Sequence, residues 1–291
     1  MLSVPNFSEG RDSDTIAAIS GAFSDGVEPL DRHSDAVHNR TVLTLAGSGT
    51  ALVEALVAGA RACLGRIDMR RHEGAHPCVG ALDVCPVVWL GRREQAGAAE
   101  LALEAAIQIA DLGVPVFLYG ELASDERRRE RAFFRRGGIP ELGRRMRAGE
   151  LRPDFGPSEP HATGGATLVT ARPPLAAFNI VLDTADLEVA RAVAAGLRES
   201  GGGLGGVRAV GIDLDGRAQI SVNVHDPEAV PLRAVIDRVR GLAAEHRARP
   251  VEGEIVGLVP QGAVRDLPDD LPLVGFDPER HLIERRLGGL N

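Results

Sequence analysis

Ala176–Leu182, AAFNIVL, is a short apolar run of strand length, and the residues that follow it decide the fold. Thr184 offers an N-cap, and Leu187, Ala190, Val193, Ala194 and Leu197 then recur at helical spacing. The cluster Gly201-Gly202-Gly203-Leu204-Gly205-Gly206 ends that helix. Val207–Leu214 and Arg217–Val224 flank Asp215-Gly216, the signal of a two-residue hairpin of type I′. After Asp226-Pro227, Pro231 suits the first turn of an amphipathic helix with the stripe Leu232, Val235, Ile236, Val239 and Leu242. Pro250 closes it, and residues 251–259 supply a last strand. The order β-α-β-β-α-β is a ferredoxin-like split unit.

The first half repeats that rhythm with longer connections. A brief strand ends near Pro5, and a helix follows with Ile16, Ile19 and Phe23 on one face. Strands at 27–31 and Arg40–Ala46 lead to a helix carrying Val53, Leu56, Val57, Ala60 and Leu64. A histidine-bearing loop, a strand at 82–90, a helix at 96–112 and a strand at 114–119 come next. Residues 123–150 are rich in arginine and read as a solvated helical face. Residues 151–174, rich in Pro and Gly, read as a long loop.

A ferredoxin-like unit covers one sheet face with its helices and leaves the other bare. Two such units resolve this by turning their bare faces together. The expected fold is therefore α+β: two ferredoxin-like α/β subdomains, 1–172 and 173–291, with sheets facing each other and helices outside. Along Gln219–Val224 the Ile and Val side chains should meet the helices. Gln219, Ser221 and Asn223 form a polar stripe that is either one wall of a ligand cleft or a plainly solvated face.

Composition narrows the function. The 291 residues are 44% hydrophobic and 25% charged, an ordinary globular balance, with no apolar run of membrane-spanning length and no signal-peptide pattern. A cytoplasmic protein is expected. A net charge of −8 argues against a general nucleic-acid binder. Every one of the 33 basic residues is arginine, which excludes a Walker-type phosphate loop and Schiff-base chemistry. Cys63, Cys78 and Cys85 make neither a disulfide framework nor a CxxC pair. Cys78 and Cys85 lie close in sequence to His76, so a Cys–His nucleophile competes there with plain packing roles.

Arg71-His72-Glu73-Gly74-Ala75-His76-Pro77 contains His-Glu-x-x-His, the zinc-peptidase pattern. That chemistry needs both histidines on one helical turn. Pro77 pushes His76 out of helical geometry and Gly74 weakens a helix further. No metal site is expected.

The words around this stretch are more specific. VPNFSEGR at 4–11, HNRTV at 38–42, IDM at 67–69, HP at 76–77 and GALDVCP at 80–86 are followed by VPVFLYGE at 114–121 and PDFGP at 153–157. GAT at 165–167, AR at 171–172, AFN at 177–179, QISVN at 219–223 and EIVGLVP at 254–260 complete the series. Together they closely resemble the formiminotransferase family, which includes the N-terminal part of formiminotransferase-cyclodeaminase, over nearly the whole chain. No cyclodeaminase segment is expected after Asn291.

The resemblance implies transfer of a formimino group from N-formimidoyl-L-glutamate to N5 of tetrahydrofolate, a co-substrate, in histidine degradation. It also implies a homodimer and no metal. The family's catalytic histidine lies in Gly-Glu-His-Pro, which maps onto Gly74-Ala75-His76-Pro77 and makes His76 the catalytic candidate. The family's folate loop maps onto Gly156-Pro157-Ser158-Glu159-Pro160-His161-Ala162-Thr163-Gly164-Gly165. Glycines there would let the backbone approach a flat pterin closely; the alternative is a plain linker. One imidazole with an ordinary pKa near 6.5 can move both protons of the reaction. Both substrates carry carboxylates, and without lysine only arginine or backbone N–H groups can hold them. Arg40 and Arg172 are the candidates, with Asn6, His38 and Asn39 as further substrate contacts; for each arginine a surface ion pair is the competing role.

The sequence departs from the family at Ala75, where the family has Glu, at Cys78 for its Arg, and at Glu73 for a His. Glu73 or Asp35 would have to replace the lost carboxylate. His33 stands where relatives carry an acidic residue. Two alternatives follow: a folate-binding paralogue without catalysis, and a related folate-dependent formyl or acyl transferase. His72, His225, His246 and His281 are expected to be surface or structural residues.

Overall fold

In the computed structural model, which describes residues 1–288, the chain opens on two short strands, β1 (Leu2–Ser3) and β2 (Asn6–Phe7). The strand expected to end near Pro5 is β1, and β2 resumes the pairing after that proline, which has no N–H for the ladder. Then come α1 (Ser13–Phe23), β3 (Glu28–Asp35), β4 (Arg40–Ala46), α2 (Gly49–Arg66), β5 (Leu82–Val88), α3 (Gln95–Ala110) and β6 (Val116–Leu118). Two short helices, α4 (Arg131–Arg135) and α5 (Gly138–Arg147), precede β7 (Thr167–Arg172).

These elements form the first of two compact units, Met1–Arg172. Its seven-stranded sheet runs β3-β4 at one edge, then β1 and β2 between β4 and β5, then β7 and β6. The part from β3 to β5 has ferredoxin-like order. Beyond it β7 lies parallel to both β5 and β6, an extension the sequence reading lacks.

Strand β7 corrects the expected loop over 151–174. Five of its six residues are buried, and the Thr167 and Thr170 hydroxyls donate to the carbonyls of Leu82 at 2.9 Å and Tyr119 at 2.7 Å. The run of prolines and glycines stops at Gly165, and TLVTAR after it has the β-branched content of a strand.

Packing follows strand alternation. On one sheet face, Ile19 and Phe23 of α1, Leu52 and Leu56 of α2 and Ala102 and Ala106 of α3 meet Leu45, Cys85, Val87 and Val169. Phe7 stacks on Phe23 with centroids 6.3 Å apart, and each fully buried phenyl stabilises the fold by about 1.5–3 kcal/mol. Gly59 makes this possible: a Cβ there would lie 2.2 Å from the Phe23 ring.

On the opposite face, Phe134 of α4 and Leu142 and Met146 of α5 cover Val84, Phe117 and Leu168. Helices therefore lie on both faces at the β5-β7-β6 end, not on one. The arginine-rich segment is a solvated face only in part, with Arg127, Arg136 and Arg144 exposed. Arg145 is 4% exposed, with its guanidinium 4.4 Å from the Phe133 ring centroid. Arg128 pairs with Asp154, and Arg135 pairs with Asp83.

The second unit begins at Pro173. It holds β8 (Ala176–Leu182), α6 (Leu187–Leu197), β9 (Val207–Leu214), β10 (Arg217–Val224), α7 (Leu232–Glu245) and β11 (Pro250–Ile255). The four-stranded antiparallel order β11-β8-β10-β9 is that of a ferredoxin-like unit. Asp215 and Gly216 take φ of 49° and 81°, as a type I′ turn requires. Asp186, not Thr184, caps α6; the Thr184 hydroxyl instead accepts from the Asp186 N–H at 3.1 Å.

Ile220, Val222 and Val224 pack against Val193, Leu197, Val235 and Val239 of the two helices, as alternation predicts. On the other sheet face Ser221 pairs with Asn179, whose amide donates to Glu254 at 3.1 Å. Two further short helices, α8 (Pro278–His281) and α9 (Ile283–Gly288), follow. No helix among the described residues is long and apolar enough to cross a membrane.

Candidate active site

The β3–β4 hairpin supplies the first half of the site. Asp35 Oδ1 accepts from the backbone N–H groups of Val37 and His38, both at 2.8 Å, which closes the turn. Its Oδ2 accepts from His38 Nδ1 at 2.7 Å. Burial works to raise the Asp35 pKa, but the hydrogen bonds and charge of His38 and the Val37 N–H outweigh it and hold the carboxyl well below its usual range.

Asn39 sits in left-handed backbone with φ of 48°, a conformation asparagine tolerates. Its Oδ1 accepts from the Gly10 N–H at 2.9 Å, and its Nδ2 donates to the Glu73 carbonyl at 2.9 Å. The side chain thus ties the hairpin to two loops, a positioning role that leaves its amide committed within the protein.

The loop at 67–81 brings the second half. It contains no helix, so His72 and His76 do not share a helical turn. Ala75 N–H donates to Val37 at 3.1 Å and Met69 N–H to Thr163 at 2.8 Å, which fastens the loop at two points. Gly74 has to be small, since a Cβ would lie 2.4 Å from the His38 carbonyl oxygen.

His76 is half-buried. Its Nε2 accepts from Arg40 Nη1 at 2.9 Å, and its ring meets His38 edge to face with centroids 6.1 Å apart. A guanidinium has only donors, so Nε2 holds a lone pair and the ring is neutral. Burial, then the charges of Arg40, Arg135 and Arg131 and the neighbouring His38, push the His76 pKa well below its ordinary value. Burial and the same arginines lower Arg40 to about 10, so it remains a cation at neutral pH.

Ser8, His38, Asn39, Arg40, His72, His76, Cys78 and Asp83 line one small cleft. Asp83 forms its floor at a β-bulge: Asn6 pairs with Val84 and Phe7 with Leu82, leaving Asp83 as the extra residue. It is 1% exposed, accepts from the Val79 N–H at 2.7 Å and pairs with Arg135. Arg131 lies 6.0 Å from the Tyr119 ring centroid. Neither Arg40 nor Arg131 forms an ion pair with a carboxylate among the described residues, whereas Arg135 does. Arg40, which lines the cleft, therefore offers cationic charge to an anionic ligand.

The remaining sequence candidates divide. Asn6 is buried on β2, donates to the Val4 carbonyl at 2.9 Å and does not line the cleft. Arg172 ends β7; burial lowers its pKa to about 10, and Tyr119 and Arg131 are its electrostatic neighbours. In the loop from 156 to 165, Gly165 has φ of 69°, and a Cβ there would lie 2.2 Å from the Val79 oxygen. Gly80, facing it, leaves 2.0 Å to the Ala166 oxygen. These glycines serve a close approach between two protein backbones, so the loop is fastened directly to the histidine-bearing segment. His161 Nδ1 accepts from the Gly164 N–H at 2.9 Å, a contact internal to the loop, while Gly156, Pro157, Ser158 and Glu159 are exposed.

Neither proposed stand-in carboxylate reaches His76: Asp35 holds His38, and Glu73 is exposed. Burial, with Asp83 adding to it, raises the Cys78 thiol to about 11, which removes the Cys–His nucleophile at neutral pH. His72, expected to be a surface or structural residue, lines the cleft with its Nδ1 3.4 Å from Asn39 Nδ2. Arg131 and Arg135 were missed altogether. Their signal was RAFFR at 131–135: two arginines four apart, one helical turn, around two phenylalanines.

Residues 1–172 match the family model of the formiminotransferase domain, N-terminal subdomain, and residues 177–269 match that of the formiminotransferase domain. The chain is 34% identical to the glutamate formimidoyltransferase of Streptococcus pyogenes serotype M1, covering 98% of each chain. It is 37% identical to that of Thermoplasma acidophilum, over 98% of this chain and 96% of the other. Formimidoyltransferase-cyclodeaminase of Gallus gallus is 38% identical over 90% of this chain, which spans 50% of that longer protein.

Proposed function

This chain belongs to the formiminotransferase family, and from that premise we propose that it transfers the formimino group of N-formimidoyl-L-glutamate to N5 of tetrahydrofolate at the cleft around His76. The observation that supports this most directly is the hydrogen bond from Arg40 to His76 Nε2 at 2.9 Å. It presents a neutral imidazole, able to accept a proton, beside a cation able to hold a carboxylate.

N5 attacks the amidine carbon and gives a tetrahedral intermediate. The N5 proton has to leave and the glutamate nitrogen has to be protonated before collapse. His76 is the proton acceptor in this reading, and such catalysis contributes about 10²–10⁴ in rate. A substrate carboxylate offers Arg40 a bidentate partner and draws it from Nε2, so that substrate binding uncovers the base. Arg131 offers a second cation for the other carboxylate. The loop from 156 to 165 is assigned to folate, its exposed start facing ligand and its buried glycines holding it to the His76 loop. Residues 1–172 thus carry the histidine and the folate loop, and 173–291 form the C-terminal subdomain. A cytoplasmic homodimer without a metal is part of the same reading and rests on the family.

Turnover of tetrahydrofolate by the purified chain with formimidoylglutamate, followed by product absorbance, tests the proposal; titration without the donor reads folate binding separately. The absence of any carboxylate on His76 among the described residues favours a second reading, a folate-binding paralogue without catalysis. Folate binding without turnover would select it, and turnover only with formyl or other acyl donors would select a related transferase.

A further inference from the structure

Two imidazoles line the cleft, and they keep opposite company. His76 Nε2 accepts from the Arg40 guanidinium at 2.9 Å, a contact that a protonated ring cannot make. His38 Nδ1 donates to the Asp35 carboxylate at 2.7 Å, a contact that stabilises a protonated ring. The rings meet edge to face, with centroids 6.1 Å apart and planes at 88°. His38 is 5% exposed, and Asp35 occupies its Nδ1, which leaves Nε2 to serve the cleft. One ring turns a lone pair toward a cation and the other is backed by a carboxylate, the placement expected of a base and an acid.

Resting on the transfer reaction above, we propose that the rings divide the proton work: His76 is the base toward N5, and His38, backed by Asp35, is the acid toward the departing glutamate nitrogen. His38 Nε2–H is a donor distinct from the nitrogen that takes the N5 proton, so the two transfers proceed at separate rings.

The step balances. The N5 lone pair forms a bond to the amidine carbon while the C=N π pair moves to the imino nitrogen, and His76 Nε2 takes the N5 proton. On collapse the π bond re-forms and the bond from that carbon to the glutamate nitrogen breaks. Its electron pair stays on the glutamate nitrogen, which receives the proton of His38 Nε2–H. One proton has left N5 and one has reached the amine; a proton passed from His76 to His38 restores both rings.

The charged and titratable groups around the pair are Asp35 on the hairpin, Arg40 on β4, His72 and Cys78 on the histidine loop, Asp83 on β5, and Arg131 and Arg135 on α4. Asp35 alone among them touches His38 with a carboxylate oxygen.

The test is the pH profile of kcat for the full chain, His38→Gln and Asp35→Asn with formimidoylglutamate and tetrahydrofolate. A second donor, a formamidine whose leaving group is a weakly basic arylamine, is run beside them. Expected results are a bell-shaped wild-type profile and a loss of about 10²–10⁴ in kcat for His38→Gln, with its alkaline limb gone and its acid limb kept. The arylamine donor needs less help in leaving, so His38→Gln should lose far less with it. Asp35→Asn should move the alkaline limb to lower pH, because the charge that favours the protonated ring is gone. If His38→Gln does not fold, that shift carries the decision by itself.

An unchanged alkaline limb in His38→Gln or Asp35→Asn would overturn the assignment while leaving the transfer reaction standing. No turnover by the wild type would overturn the transfer reaction and the assignment together.

Discussion

Arg40 Nη1 donates to His76 Nε2 at 2.9 Å, and this contact fixes the tautomer and charge of the ring. A His76 neutral at pH 7 needs no deprotonation before it acts as a base, only release of Nε2 from Arg40. His76→Gln should keep tetrahydrofolate binding while turnover falls by about 10²–10⁴. Because burial and the arginines lower the pKa, the acid limb of kcat/KM should lie below the ordinary histidine value of 6.5. The same shift acts on stability. The unfolded chain takes up a proton below about 6.5 that the folded ring refuses, so this contribution is intact above that pH and declines as pH falls. Paired urea titrations of wild type and His76→Gln from pH 5 to 8 check the sign: the variant should lose less stability toward pH 5.

Arg131 lies against the Tyr119 ring, 6.0 Å from its centroid, without a carboxylate partner among the described residues. A surface ion pair would leave such a residue nothing to contribute to a ligand; an unneutralised cation can bind one. Arg131→Gln should therefore raise KM for formimidoylglutamate by about 10–100-fold, the size of a charge-assisted hydrogen bond of about 1.5–3 kcal/mol. Its kcat should change by less than about 3-fold, since uniform binding is what is lost. Steady-state kinetics at saturating folate separates the two parameters.

Asp83 and Arg135 make a buried pair beneath the cleft, Asp83 being 1% exposed. Removing one partner strands the other. Arg135→Gln should destabilise the protein by about 3–5 kcal/mol. Combining it with Asp83→Asn should recover part of that loss, because the stranded carboxylate is gone as well. Denaturant melts of the two single variants and the double variant close the cycle, and strictly additive losses would argue against a coupled pair.

The second unit was legible almost residue by residue because each signal was local. A type I′ dipeptide, a helical stripe and alternating strands need no information from elsewhere in the chain. In the first unit the misses were non-local. TLVTAR at 167–172 became a strand because β5 and β6 lie on either side of it to pair with, which its loop-like preceding residues do not announce. The arginines of α4 are half-buried because Phe134 docks on Phe117 and Leu168, a contact across the sheet. His76 was identifiable from its neighbours in sequence. Its partner was not: Arg40 lies 36 positions away, and only the docking of the hairpin on the histidine loop brings them together.

Cys78 lines the cleft with His76, so a thiol mechanism deserves a direct test. Burial and Asp83 raise the Cys78 thiol to about 11, and burial raises Cys85 to about 12. Burial also pushes Cys63 up, with Cys85 adding to it. For a pKa of about 11 the thiolate fraction at pH 7 is on the order of 10⁻⁴, and the thiolate is the reactive form. Iodoacetamide at pH 7 should therefore leave the folded chain unmodified by intact mass while the denatured chain takes up three labels, one for each cysteine. Raising the pH from 7 to 10 should speed labelling of Cys78 about tenfold per unit, provided the fold holds, because the thiolate fraction grows by that factor below the pKa. Rapid labelling of Cys78 at pH 7, in step with loss of turnover, would instead mean that the thiol is activated and that His76 serves it rather than N5.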